Sequence, residues 1–139
     1  MFVHVSVWGV ILAAVAGMIV GTVWYHPSVF GKAWMKAIGQ TEKGMKERMN
    51  KVMPVLVLAS LVTAYALSLV TTYLSSFTLG SPLSTAIEAS LLVGFGFGAT
   101  AVVAHGVFEP RPMSVIYINV GNRVATLLAM GLVIGLFMR

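Results

Sequence analysis

Four apolar stretches, each long enough to cross a bilayer as a helix, constrain this chain more than any other feature. A hydrocarbon core of roughly 30 Å needs about 20 apolar helical residues. Stretches at about residues 5–25, 52–77, 84–108 and 113–138 meet that length and take up most of the 139 residues. Water-soluble domains carry about 25% charged residues. Here the share is 9%, against 58% hydrophobic, so most of the folded surface must face something other than water. The expected architecture is a single all-α domain, an integral membrane four-helix bundle. The first stretch lacks a basic start and is too long for the apolar region of a signal peptide, so it is expected to be retained.

The basic residues set an expected orientation. Six of the nine Lys and Arg, namely Lys32, Lys36, Lys43, Lys46, Arg48 and Lys51, fall in the connection at about 26–51. Positive loops stay on the cytoplasmic side. That puts this connection, and the one containing Arg111, inside an inner (cytoplasmic) membrane, with both termini outside and only Arg139 on the outer face. The net charge of +5 is then topological. It calls for anionic lipid headgroups as partners rather than nucleic acid.

Within the long connection, Phe30, Trp34 and Ile38 recur every fourth residue while Lys32 and Lys36 lie elsewhere around a helix, which predicts a short amphipathic helix at the interface. Each span also carries a small-residue stripe, the usual means of close approach between helices in lipid. The stripes are Ala13, Gly17 and Gly21; Ser60, Ala64, Ser68 and Thr72; Ala86, Ser90, Gly94 and Gly98; and Gly121, Ala125 and Ala129. A compact bundle follows, with one stripe left over for a homo-oligomer or a membrane-protein partner.

The segment from Trp24 reads Trp24-Tyr25-His26-Pro27-Ser28-Val29-Phe30-Gly31-Lys32-Ala33-Trp34. It resembles a family of unknown function, made of small prokaryotic four-span membrane proteins with a W-Y-x-P-x-x-F-G-x-x-W signature. The similarity continues at Phe108-Glu109-Pro110-Arg111-Pro112 and Ile118-Asn119-Val120-Gly121. The resemblance implies four spans in an inner membrane. It implies no activity, and it carries no role over to Arg123. Physically, Trp24, Tyr25, Phe30 and Trp34 suit a membrane interface, and Pro27 and Gly31 suit a turn from spanning to surface-lying backbone. The alternative is that Tyr25 and His26 line a pocket at the cytoplasmic mouth.

Arg123 is the most informative residue, because a charge ten residues into the last span needs a partner or water. Asn119, Asn122 and Arg123 share a helix face by spacing. His105 and Glu109 end the third span at the same side of the membrane. A ligand or polar cluster of Arg123, Asn119, Asn122, His105 and Glu109 is therefore predicted, with the guanidinium satisfied by Asn119 and at least one of His105, Glu109 or a bound anion. Glu88, near the outer end of the third span, is a possible proton site if buried.

The Gly94-Phe95-Gly96-Phe97-Gly98-Ala99 run superficially matches a dinucleotide loop or a channel filter. With no preceding strand and hydrocarbon around it, a continuous helix is the expectation. The chain holds neither Asp nor Cys, which excludes an aspartate triad and thiolate chemistry. Its three His residues show no zinc-site spacing. No enzyme, cofactor or metal site is expected. The best-supported reading is a homo-oligomeric protein that binds or translocates a small solute or ion at the Arg123 cluster. The alternative is an accessory subunit of a larger membrane complex.

Overall fold

The computed structural model describes residues 5–138; Arg139, the only basic residue assigned above to the outer side, lies outside them. Among these residues the fold is all-α. Its elements are α1 (Val7–Trp24), a π-helical turn (Pro27–Gly31), α2 (Lys32–Ala37), α3 (Glu42–Ser75), α4 (Pro82–Val93), a π-helical stretch (Gly94–Ala99), α5 (Thr100–Phe108) and α6 (Met113–Phe137). Four helical units are long and apolar enough to cross a membrane: Val7–Ala37, Glu42–Ser75, Pro82–Phe108 and Met113–Phe137.

Local chemistry explains the helix boundaries. Ser6, Thr41 and Ser81 each sit just before a helix, and each side-chain oxygen accepts from the backbone N–H three residues on, at 3.1–3.2 Å. These bonds satisfy donors that the first turn leaves open. Pro82 then opens α4, where its missing N–H costs nothing. After α2 the chain turns at Gly39, whose φ of +69° is strained for any residue with a Cβ. Pro54 lies inside α3, one backbone bond short, between the charged first turns and the apolar remainder.

The spans form a ring in chain order. α6 packs on α1 and on α4, and α3 closes the ring between α1 and α4. The core is Ala13, Ala14, Ala64, Leu67, Ala89, Leu127, Met130 and Ile134. The outer surface is hydrocarbon, including Val7, Ile19, Leu58, Val62, Leu92 and Leu136, as a lipid-facing surface requires.

The predicted stripes are used unevenly. Ala13, Gly17, Ala64, Ser68, Ala86, Ser90 and Gly94 are buried at contacts, and the Ser60 hydroxyl donates to the Ala14 carbonyl at 2.8 Å. Gly21 meets nothing. On α6 the close approaches are not at Ala125 and Ala129 but at Gly121, against Trp24, and beyond the stripe at Gly131 and Gly135. A Cβ on Gly131 would collide with Ser90 Oγ, and one on Gly135 would stand 2.9 Å from the Leu83 backbone.

The packing is also uneven along the bundle axis. The core cluster lies in the half farther from the basic connection; toward the basic end the buried hydrophobics are Met35, Ala99, Val115 and Ile116, and α5 has no buried residue at all. The basic half is splayed.

Candidate functional site

Two of the predicted features need correction before the site can be built. The first concerns the helix after α1. The backbone N–H of Gly31 donates to the His26 carbonyl at 3.0 Å, five residues back, so the chain folds over the end of α1 in a widened turn. Gly31 is buried there because any Cβ would collide with the Tyr25 carbonyl. The expected short helix is present as α2, but its stripe is divided: Phe30 stays exposed while the rest turns inward. Trp34 is half-buried and turned toward α6, Met35 is buried, and Trp24 stacks on Phe30 with ring centroids 4.8 Å apart.

The second correction concerns Asn119. It does not hold Arg123. Its carbonyl oxygen accepts from Tyr25 Oη at 2.8 Å and from Trp34 Nε1 at 3.0 Å, and the Tyr25 and Trp34 rings lie 5.0 Å apart. Trp24 Nε1 donates to the Ile118 carbonyl at 3.0 Å, and its ring fills the space over Gly121. An indole N–H can only donate. The Asn119 atom facing Trp34 is therefore its oxygen, and the amide nitrogen is left with no protein acceptor. The aromatic signature is thus a clamp that joins the first span to the last and fixes which end of Asn119 is free.

A cavity of about 490 Å³ opens beside this clamp in the splayed half. Its walls come mainly from the third span and α6, with a polar group of His105, Glu109, Arg111, Asn119 and Arg123 and an apolar floor that includes Val93 and Leu127. Four of the five predicted cluster residues therefore share one cavity. Asn122 does not line it; its amide nitrogen is buried without a partner. The spacing signal failed because i, i+3 and i, i+4 neighbours need not face the same cavity.

Arg123 lies ten residues past the start of α6, about 15 Å along the axis at 1.5 Å per residue. Its side chain is exposed to the cavity and makes no hydrogen bond or ion pair to any described residue. Room for its stem comes from Gly98, where a Cβ would approach Arg123 Cγ to 2.6 Å. Gly98 belongs to the π-helical stretch Gly94–Ala99. The glycine run is therefore helical without a break, as expected, but wound wider than an α-helix, a form frequent at functional sites. At the mouth, Glu109 pairs with Arg111 at 2.7 Å. The carboxylate is thereby committed to a neighbour rather than to Arg123.

The family comparison bears on this region directly. A model of the family described as "Protein of unknown function (DUF1761)" matches residues 8–135. The chain belongs to that family. The DUF1761 match takes in the clamp, the π-helical stretch and the whole cavity. No curated protein and no solved structure matches the chain.

The remaining predicted residues lie elsewhere. His26 caps the turn after α1, its Nδ1 meeting Ser28 Oγ at 2.6 Å and accepting from the Ser28 N–H at 3.3 Å; neither it nor Tyr25 lines the cavity. Glu88 is exposed on α4 at the opposite end. A buried proton site at Glu88 is not formed. Arg111 and Thr63 were missed as cavity residues. The charge of Arg111 beside Glu109 was the available signal for the first; nothing in the sequence singles out Thr63.

Proposed function

We propose that this multi-pass protein binds an anionic group in the cavity of its splayed half. The observation that carries the reading is an unpaired guanidinium inside a membrane-spanning unit. Leaving an arginine unpaired at bilayer depth costs several kcal/mol, which an anion or water offsets. The other groups agree in sign. The freed Asn119 amide and the guanidinium can only donate, His105 offers a further N–H, and the one carboxylate is held by Arg111. A cationic ligand would meet the like charge of Arg123, and a neutral one would leave that charge uncompensated.

Translocation is not part of the proposal. The cavity floor meets a core in which Leu67, Met130 and Ile134 are almost fully buried, so passage would require that half to open. The cluster of basic residues supports an orientation with the cavity mouth toward the cytoplasm and anionic headgroups around it. Single cysteines introduced at Lys43 and Gly80 test this, since the native chain has none. They should label from opposite faces of intact cells, and labelling of both from outside refutes the orientation.

Binding itself is tested by thermal unfolding in a neutral detergent against a panel running from inorganic phosphate and short carboxylates to phosphatidylglycerol, with choline as the cationic control. An anionic ligand should raise the melting temperature of the native protein and leave that of Arg123→Gln unchanged. No stabilisation by any anion, water-soluble or amphiphilic, overturns the proposal. So does equal stabilisation of the variant.

A further inference from the structure

The cavity lacks one wall, and where the gap lies points to a particular class of ligand. Its lining comes from the third span and α6, whereas α3 contributes only Thr63. α5 packs on α6 but makes no comparable contact with α3, and none of its residues is buried. The two helices therefore diverge over the depth at which Arg123 lies.

The exposed surfaces of the two helical units are hydrocarbon. On α3, Val55, Leu58 and Val62 are 60–66% exposed, and on the third span Phe97, which lines the cavity, is 72% and Val107 58% exposed. Such surfaces face acyl chains, not water. The missing wall is thus a side door into the bilayer, at hydrocarbon depth, with a guanidinium behind it. A free ion would not arrive by that route. A ligand that carries its own hydrocarbon chain would.

Resting on the anion-binding reading above, we infer that the ligand is an anionic amphiphile, a lipid whose acidic headgroup is held by Arg123 and Asn119 while its chain leaves between α3 and α5. The polarity gradient within the cavity fits this. Two of the donors, Arg123 and Asn119, stand on α6, while the third span contributes the apolar Phe97, Ala101 and Val102 to the lining. The π-helical stretch contributes to both parts, since Gly98 makes room for the arginine stem and Phe97 joins the apolar lining. Arg111 at the mouth supplies a second positive group, though one already paired with Glu109. Arg123 therefore carries the selectivity for charge.

The test uses the full chain in neutral detergent. Phosphatidylglycerol and phosphatidylcholine of identical acyl composition are offered in turn, with bound lipid read by native mass spectrometry. Phosphatidylglycerol should be retained over phosphatidylcholine by about tenfold, the discrimination expected of one charge-assisted contact. Arg123→Gln should abolish the preference and Arg123→Lys should restore part of it, with helical content unchanged in both. An analogue bearing a photoreactive group in mid-chain should label Thr63 or Val102. Millimolar inorganic phosphate should not displace the lipid.

Equal retention of the two lipids, or a preference that survives Arg123→Gln, overturns the inference. Labelling confined to Trp8, Leu92 or other outward residues does the same, since it reports an ordinary lipid annulus. If phosphate alone binds in an Arg123-dependent way and phosphatidylglycerol does not, the amphiphile inference fails while the anion-binding proposal stands. If neither binds, both fail.

Discussion

The two halves of this bundle solve the problem of holding helices together in lipid differently. In the half away from the basic connection, glycine, alanine and serine bring backbones into contact, and the side chains between them are sealed: Ala64, Ala86, Ala89 and Ser90 have no exposed surface. Close packing replaces the hydrophobic driving force that lipid removes. In the other half the helices diverge, and what joins them is polar and directional. Three aromatic donors from the first helical unit meet two acceptors on α6. One half is held by shape, the other by a few hydrogen bonds around an open cavity. A protein needs the first to keep a fold and the second to admit a ligand.

The sharpest way to break this contrast is to damage the packed half. Gly131→Ala drives a methyl into Ser90 Oγ and to 2.9 Å from the Ala86 carbonyl, and should destabilise the protein by about 2 to 3 kcal/mol, as overpacking does. Reversible unfolding in mixed micelles would measure it. A neutral result would mean that α4 and α6 are not in contact as described.

Next in size is the clamp. Asn119→Leu leaves Trp34 Nε1 and Tyr25 Oη without an acceptor. Because both residues are half-buried, the cost should be about 1 to 2 kcal/mol. Trp34→Phe made in the Asn119→Leu background should then cost less than in the native protein. Additive effects in that double-mutant cycle would show that the hydrogen bond contributes nothing.

Arg123→Leu should leave stability unchanged where water or an anion already offsets the charge and raise it by about 1 kcal/mol or more where neither does, since the charge has no protein partner to lose. A large loss would make Arg123 a structural residue and move it from the open half's function to its fold. The smallest expected effects come from the glycine run. A Cβ on Gly96 meets nothing, so Gly96→Ala should stabilise by about 0.5 to 1 kcal/mol through helix propensity. Gly98→Ala should instead push the arginine stem aside and impair anion binding with little change in stability. Identical behaviour of the two variants would remove Gly98 from the site.

The spans were legible because length and hydropathy in lipid admit almost no other structure, and the caps at Thr41 and Ser81 stand in the sequence as ordinary signals. The site was legible in part. An arginine at bilayer depth announces itself, and His105, Glu109 and Asn119 do share its cavity. Spacing assigned Asn119 to Arg123 because i and i+4 are neighbours on a helix. The structure assigns it to two donors 85 and 94 residues away in the chain. The signal that pointed there was Trp24, Tyr25 and Trp34 crowded into one segment, since two indoles and a phenol require acceptors when they leave water. The divergence of α3 from α5 left no trace in composition, because a lipid-facing helix and an unpacked one are written with the same residues.

The clamp also has a consequence for synthesis. Trp24, Tyr25 and Trp34 emerge from the ribosome early, and their acceptors, the Ile118 carbonyl and the Asn119 side chain, come some 85 to 94 residues later. Until the last span inserts, the donors of the first have no protein partner and must be satisfied by headgroups and water at the membrane surface. A nascent chain stopped short of Met113 can therefore insert three spans and pack the first on the second, but it cannot close the clamp. In this protein the final span to be made completes the first.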